Sequence, residues 1–511
     1  MVKTVFSAAN HGIDGYIVMV ETNLEGILPA YVTVGLPDNA VKESKERVWA
    51  AIKNSGYFFP MKRITINLAP ADIRKEGSAY DLPIAVGILA TSGQLEADSL
   101  DSFVILGELS LEGTIRPIHG ALSLALAALA NGFKSIIVPA ENAKEAAMAP
   151  DIKVYGVQSL EQVINFFNND ISIPPTRVDT TELFTQHAVY NVDLKDVKGQ
   201  STAKRALEIA AAGSHNLIMI GPPGSGKTML AKRFPTILPK LTISEALETT
   251  KIHSVAGNLL PDQPLLAIRP YRSPHHTISD AGLIGGGAYP RPGEVSLAHH
   301  GVLFLDELPE FKKSVLEVMR QPMEDGRVTL SRAQISTTYP ARFMLVAAMN
   351  PCPCGYFGDP HNECSCTPMV IQKYRSRVSG PLSDRIDIHI EVPAVKFEHL
   401  ASYKDGESSE QVRVRVQRAR EVQSNRFKGI KGVYANAHMG TKELRQFCEL
   451  DAESMNLLRT AIDRFGLSAR AFDRILKVSR TIADIEGTQK ILPPQVAEAI
   501  QYRSLDRETF A

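Results

Sequence analysis

Apolar residues fall along this chain in three successive patterns. Up to about residue 170, short apolar runs alternate with helix-spaced ones. The runs 15–20, 31–34, 63–68, 103–106 and 135–138 have the length and polar borders of strands. The segments 40–54, 82–91 and 122–131 read as helices, the last apolar over 122–130 and too short to cross a membrane. From 171 to 195 the pattern lapses into Pro174-Pro175 and weakly patterned polar sequence, as in a linker. Between 196 and 396 the apolar runs 216–220, 301–305 and 343–349 read as parallel strands covered on both faces, and 388–392 reads as a further strand. From Phe397 onward the strand signal fades, and 409–427, 441–465 and 468–486 carry helical spacing. The expected fold class is α/β. It comprises an α/β domain over 1–170, a linker over 171–195, a parallel-sheet core over 196–396 and a helical lid with a C-terminal extension over 397–511.

Length and composition narrow this picture only a little. With 511 residues the chain has room for about three domains. Acidic and basic residues balance at 56 each, so bulk charge favours neither nucleic acid nor an anionic membrane, and any DNA contact needs a local basic surface. There is no apolar stretch of about 20 residues and no basic-then-apolar leader pattern, so a cytoplasmic protein without a membrane partner is expected.

Chemistry enters at Gly221-Pro222-Pro223-Gly224-Ser225-Gly226-Lys227-Thr228, which matches G-x-x-x-x-G-K-[ST] in full. An apolar strand precedes it and a helical pattern follows, the setting a phosphate loop requires. Backbone N–H groups of such a loop and the helix N-terminus receive phosphate oxygens. Lys227 then reaches the β- and γ-phosphates of ATP, and Thr228 ligates Mg²⁺. A second apolar strand ends in Asp306-Glu307. Paired acids at a strand end are costly unless something binds them. Asp306 suits the Mg²⁺, directly or through water, and Glu307 suits polarisation of the attacking water. Together these motifs point to an ATPase.

Three further residues refine that reading. Asn350 ends the run 343–349 and can orient the attacking water beside Glu307. Arg385, in Gly380-Pro381-Leu382-Ser383-Asp384-Arg385, stands just before the next strand. An arginine there commonly faces the nucleotide of a neighbouring subunit, a contribution of roughly 10³–10⁵ in rate. Arg470, in Leu467-Ser468-Ala469-Arg470, is a second candidate sensor of the γ-phosphate. For both arginines an ordinary salt bridge is the plain alternative.

This ordered set resembles the YifB/ComM family of magnesium-chelatase-like AAA+ ATPases. Arg272-Ser273-Pro274-His275-His276-Thr277, Gly293-Glu294-Val295-Ser296-Leu297-Ala298-His299-His300-Gly301 and the stretch 379–387 carry the likeness, which runs over essentially the whole chain. The resemblance implies a hexameric ring of identical chains and a ComM-like branch-migration helicase acting on single-stranded or branched DNA in natural transformation. Insertions in this branch are implied to face a central channel. The glycine-, histidine- and arginine-rich stretch 269–300 and a hairpin over 327–336 would be two of them. Arg332 near the hairpin tip is then a candidate phosphate contact, with a solvated turn arginine as the alternative. The paired histidines are assigned no metal, because neighbours on a strand point to opposite faces.

Gly107-Glu108-Leu109-Ser110-Leu111-Glu112-Gly113 and its continuation to Pro139 resemble the proteolytic domain of Lon proteases, over roughly 60–145. In that alignment Ala79 occupies the nucleophile position and Leu122 the lysine position, so a Ser–Lys dyad is missing and a proteolytically inactive scaffold or binding module is expected.

Five cysteines are present, and Cys352, Cys354, Cys364 and Cys366 are clustered, with nine residues between the two C-x-C pairs. Four thiolates from the ends of one short loop can surround Zn²⁺. Free thiols and a redox pair are the alternatives, and Cys448 reads as a packed core residue. The densest basic run, 411–432, has seven Lys/Arg and one Glu. It suits either phosphate contacts or a solvated, ion-paired helix face. Rival functions are a metal-chelatase motor subunit and a protein-remodelling unfoldase or scaffold.

Overall fold

The computed structural model describes every residue except 1, 27, 97, 261–262, 288–289, 332–335, 361, 396–405, 504 and 506–511. The chain divides into two compact units. The first comprises 1–188 together with 243–267, and the second comprises 189–242 together with 268–511.

The first unit is built on a seven-stranded mixed sheet. Its order is Ala30–Val34, Arg63–Ala69, Asp14–Glu25, Val2–His11, Phe103–Ile105, Ser135–Pro139 and Lys153–Val157. Val2–His11 and Asp14–Glu25 form a long antiparallel hairpin, with Val2 opposite Asn23 and His11 opposite Asp14. The last three strands run parallel to one another. The helix Asp81–Thr91 is buried along nearly its whole length, as its unbroken apolar sequence requires. The helix Ile243–Val255 belongs to this unit. Its Ser254 hydroxyl donates to the buried Glu145 carboxylate and accepts from the Gly120 amide at 2.9 Å. The same carboxylate accepts from Leu122 N at 2.8 Å, so its polar atoms are satisfied although burial raises its pKa.

The second unit contains a five-stranded parallel sheet, in the order Tyr271–Arg272, Val302–Leu305, Met344–Met349, Leu217–Ile220 and Ile388–Glu391. Every residue of the three central strands is buried, which explains their unbroken apolar sequence. In a parallel sheet the C-terminal ends lie on one edge, and ligands bind there. The loops after Ile220, Leu305 and Met349 therefore open at the same edge. The helices Ser409–Arg426, Ala469–Glu486 and Pro493–Gln501 share one apolar core with this sheet, through residues such as Val412, Val416, Ile475, Ile482 and Val496.

A buried polar chain ties these helices to the sheet. His215 Nδ1 lies 3.0 Å from Asp387, and its Nε2 lies 2.8 Å from the Thr481 hydroxyl. Arg474 pairs with Asp387 at 3.0 Å, and Asn436 bridges Thr481 and Asp484 at 3.0 and 2.8 Å. The expected hairpin pairs Arg327–Ser331 with Ser336–Pro340, Arg327 opposite Pro340. Its tip, including Arg332, lies outside the described residues, as does the boundary at Phe397. Among the described residues, no helix is long and apolar enough to cross a membrane.

Candidate functional site

The site is assembled where the Leu217–Ile220 strand ends. Gly221 N donates to Met349 O at 3.2 Å, joining the loop to the neighbouring strand end. A Cβ on Gly221 would overlap the Val392 carbonyl, so only glycine lets the loop leave the sheet here. The helix Lys227–Ile237 follows, and its unpaired N-terminal amides carry the positive end of the helix dipole into the loop.

Lys227 is largely buried. Its ammonium donates to Gly221 O at 2.7 Å, Pro222 O at 2.9 Å and Asn350 Oδ1 at 3.3 Å. Burial pushes its pKa down, while Asp306 and Glu307 act in the opposite sense. Thr228 Oγ1 donates to Asp306 Oδ2 at 2.8 Å. A hydroxyl and a carboxylate in contact are the hard oxygen donors that suit Mg²⁺. Glu307 N donates to Asp306 Oδ1 at 3.0 Å, which settles the direction of the Asp306 carboxylate.

Glu307 has φ +52° and ψ +46°, the left-handed region, which is strained for a residue with a side chain. That conformation leaves its carboxylate half-exposed beside Asp306 and lets one oxygen lie 3.2 Å from His276 Nδ1. The His276 ring lies against His275, tilted with centroids 4.1 Å apart, and sits edge-on to Phe311 at 6.4 Å.

The expectation that paired histidines diverge therefore does not hold. Both pairs lie in turns rather than strands, and the rings of His299 and His300 also lie together, at 3.9 Å. Strand alternation has no force in a turn.

The structure thus brings Lys227, Thr228, Asp306, Glu307 and Asn350 to one place around the loop 221–226. Arg385 and Arg470 are placed otherwise. Arg385 donates to Pro381 O at 2.6 Å and pairs with Glu324. Arg470 pairs with the adjacent Asp384 at 3.1 Å. Among the described residues, neither is hydrogen-bonded to Lys227, Asp306 or Glu307.

Three further residues near the loop lie outside the phosphate-loop and carboxylate motifs. His276 is one. Gln200, at φ +55°, donates to Ser225 O at 3.1 Å and Pro393 O at 2.7 Å, pinning the loop from behind. Gly355 is packed on Pro223. None of these contacts is local in sequence, so periodicity carries no trace of them. The hints in sequence are the phrase Lys198-Gly199-Gln200 at the core's start and, for His276, the phrase 272–277 noted above.

The four clustered cysteines converge. Cys352 Sγ lies 3.3 Å from Cys354 and 3.7 Å from Cys364, Cys354 and Cys364 are 3.6 Å apart, and all four sulfurs, Cys366 included, fall within 4.8 Å of one another. Zn–S bonds of about 2.3 Å in a tetrahedron place sulfurs about 3.8 Å apart. A disulfide would need about 2.05 Å. Phe357 N donates to Cys352 Sγ at 3.3 Å.

Five of the seven basic residues of the run lie on the helix Ser409–Arg426, and much of their charge is used inside the unit. Arg415 pairs with Glu208 at 2.5 Å and with Glu407, Arg426 pairs with Asp484, and Arg413 donates to Thr236 O at 3.0 Å.

In the first unit, Ala79 O accepts from Gly107 N at 3.0 Å, and the hydroxyl of the preceding Ser78 donates to Glu108. Leu122 is fully buried. Asp81 is gripped by Arg47 at 2.6 and 3.0 Å, yet burial pushes its pKa up to about 6.

Comparison with known proteins matches three family models in chain order. They are subunit ChlI of Mg-chelatase over 20–142, magnesium chelatase subunit ChlI over 193–400, and the ChlI C-terminal region over 406–503. The chain is 45% identical over 509 residues to "Competence protein ComM" of Haemophilus influenzae, covering 98% of this chain and 97% of that protein. It is also 45% identical to "Uncharacterized protein YifB" of Escherichia coli, with the same coverage. Likeness to the "Magnesium-chelatase 67 kDa subunit" of Chlorobaculum parvum is 29% over 160 residues, or 30% of this chain and 23% of that one.

Proposed function

Because the chain belongs to the YifB/ComM family of magnesium-chelatase-like AAA+ ATPases, we propose that it is an ATP-driven ring motor that remodels DNA, a ComM-like branch-migration helicase. The observation that carries the ATPase part is the convergence of Lys227, the Thr228–Asp306 pair, Glu307 and Asn350 on one helix N-terminus. Loop amides and Lys227 hold the phosphates, and the ammonium's short bonds to Gly221 O and Pro222 O give way to phosphate oxygens. Thr228 and Asp306 would hold Mg²⁺, which neutralises charge on the β- and γ-oxygens when bound. Glu307 accepts the proton of the attacking water, and Asn350 orients that water. Arg385 completes the site of the next subunit in a hexamer, and Arg470 reads the γ-phosphate when subunits assemble.

DNA as the substrate is supported by the near full-length likeness to a protein named for competence. The chelatase reading is weaker, because the likeness to a named chelatase subunit covers less than a third of the chain. The first unit serves as a binding module without protease activity, since Ala79 and Leu122 supply neither nucleophile nor base. The four-cysteine cluster holds a structural Zn²⁺, supported by the sulfur spacing.

ATP turnover measured with and without added cofactors tests the reading. Single-stranded or branched DNA should stimulate it several-fold, whereas unfolded protein and chelatase partner subunits should not. Stimulation by either of those, with none by DNA, would overturn the substrate assignment.

A further inference from the structure

The turn Cys352-Pro353-Cys354-Gly355 has two faces. Its sulfurs meet those of Cys364 and Cys366, and its glycine meets the nucleotide loop. Gly355 has φ +89°, and its amide donates to Cys352 O at 3.0 Å, closing the turn. A Cβ on Gly355 would lie 2.5 Å from Pro223 Cδ, 2.7 Å from Pro223 Cγ and 3.9 Å from Asn350 Cγ. The backbone of the cysteine turn therefore forms a wall against which the phosphate loop rests.

The other end of the cluster is tied back to the same place. The helix Pro368–Arg375 begins two residues after Cys366. Its last turn returns to the end of the Asn350 strand. The main chain of Asn350 bonds to the Tyr374 hydroxyl, and Arg375 Nε donates to Pro351 O at 3.1 Å. The Arg375 guanidinium also covers the Phe357 ring at 5.2 Å. Asn350, which contacts Lys227, is thus held between the two halves of the cluster.

We infer that Zn²⁺ held by Cys352, Cys354, Cys364 and Cys366 braces Pro223 and Asn350, so that nucleotide affinity depends on metal occupancy. This rests on the zinc reading given above. A cation bound to four thiolates fixes both ends of the segment 352–366 at once. Without it, four sulfurs have no strong partner to keep them together, and the wall behind Pro223 is free to move. A loop that is binding-competent a tenth of the time binds about tenfold more weakly. The cluster thus serves the nucleotide site through Pro223 and Asn350.

The test uses the full chain purified without chelator. Zinc per chain is measured by elemental analysis, and the affinity for a fluorescent ADP analogue is measured before metal extraction, after it, and after Zn²⁺ is returned. The expected result is about one zinc per chain, a roughly tenfold or greater loss of affinity on extraction, and recovery on return. Recovery separates loss of the brace from irreversible unfolding. Gly355→Ala is the companion variant. It keeps all four thiols but pushes on Pro223, so it should retain zinc and still bind the analogue weakly. Wild-type protein with no zinc and four freely titrating thiols would overturn both the zinc reading and the coupling. Zinc that is present and removable, with affinity unchanged, would overturn the coupling alone.

Discussion

His276 Nδ1 lies 3.2 Å from a carboxylate oxygen of Glu307, and the histidine ring is itself wedged between His275 and Phe311. Glu307 also occupies a strained backbone conformation, so two independent constraints aim this carboxylate. His276→Ala removes one of them. It should lower the turnover number about tenfold, a change of ~1.4 kcal/mol in barrier, and leave nucleotide affinity within twofold. Turnover and affinity measured separately check this. A variant that loses affinity instead would place His276 in the binding site rather than beside the base.

Glu307→Gln should bind ATP normally and stop hydrolysis. Loss of a general base costs roughly 10²–10⁴ in rate. Lys227→Ala should weaken binding itself, by about tenfold or more, because it removes charge-assisted hydrogen bonds to phosphate. A Glu307→Gln chain that turns over near the wild-type rate would remove Glu307 from the mechanism.

Arg385 is paired with Glu324 and Pro381 O, with no bond to its own chain's Lys227 among the described residues. If it completes a neighbour's site, Arg385→Ala and Lys227→Ala chains should each be inactive alone, down about 10³ for the arginine variant. Mixed together they should regain partial turnover, because some interfaces join an intact Lys227 to an intact Arg385. Full activity of Arg385→Ala alone would reject this role.

Acid should weaken the second unit through His215. Burial pushes this imidazole below its ordinary value of about 6.5, with Lys477 and Arg474 adding to the shift and Asp387 opposing it. The unfolded chain therefore takes up the proton first as pH falls below about 6.5, and stability drops by up to ~1.4 kcal/mol per pH unit. Burial tends to raise the Asp387 carboxyl, but Arg474 and His215 hold it well below the carboxylate range. Its contribution is lost only below about pH 3.9. Between pH 6.5 and 4 the unfolding midpoint in urea should fall less steeply for His215→Gln than for the wild type. Equal slopes would mean that His215 does not titrate on unfolding.

Much of this site was legible because its parts are local. A loop that must cradle phosphate, a strand that must be buried and a carboxylate pair at its end each leave a contiguous signature. What stayed hidden is either small or distant. Val2–His11 is a full strand of the first sheet, yet Ser7, Ala8 and Ala9 give it little apolar contrast, and its register comes from pairing with Asp14–Glu25. The helix Ile243–Val255 follows the phosphate-loop helix in sequence but belongs to the first unit, through contacts such as Ser254 with Glu145 and Lys251 with Asp14 that no periodicity reveals. For the basic run the sequence left phosphate contacts and an ion-paired helix face both open, because charge is visible in sequence and its partners, Glu208 and Asp484, are not. His276 and Gly355 reach the site across turns, where strand and helix spacing say nothing.

Hydrolysis at Lys227 and Glu307, on the function proposed above, drives movement on DNA. The most direct measurement follows a synthetic four-way junction with labelled arms, mixed with the wild-type chain, ATP and Mg²⁺. The junction should convert into two duplexes with the wild-type chain, and should not convert with Glu307→Gln or with ADP. Robust ATP turnover with the junction left intact, or equal conversion by Glu307→Gln, would contradict the proposed function.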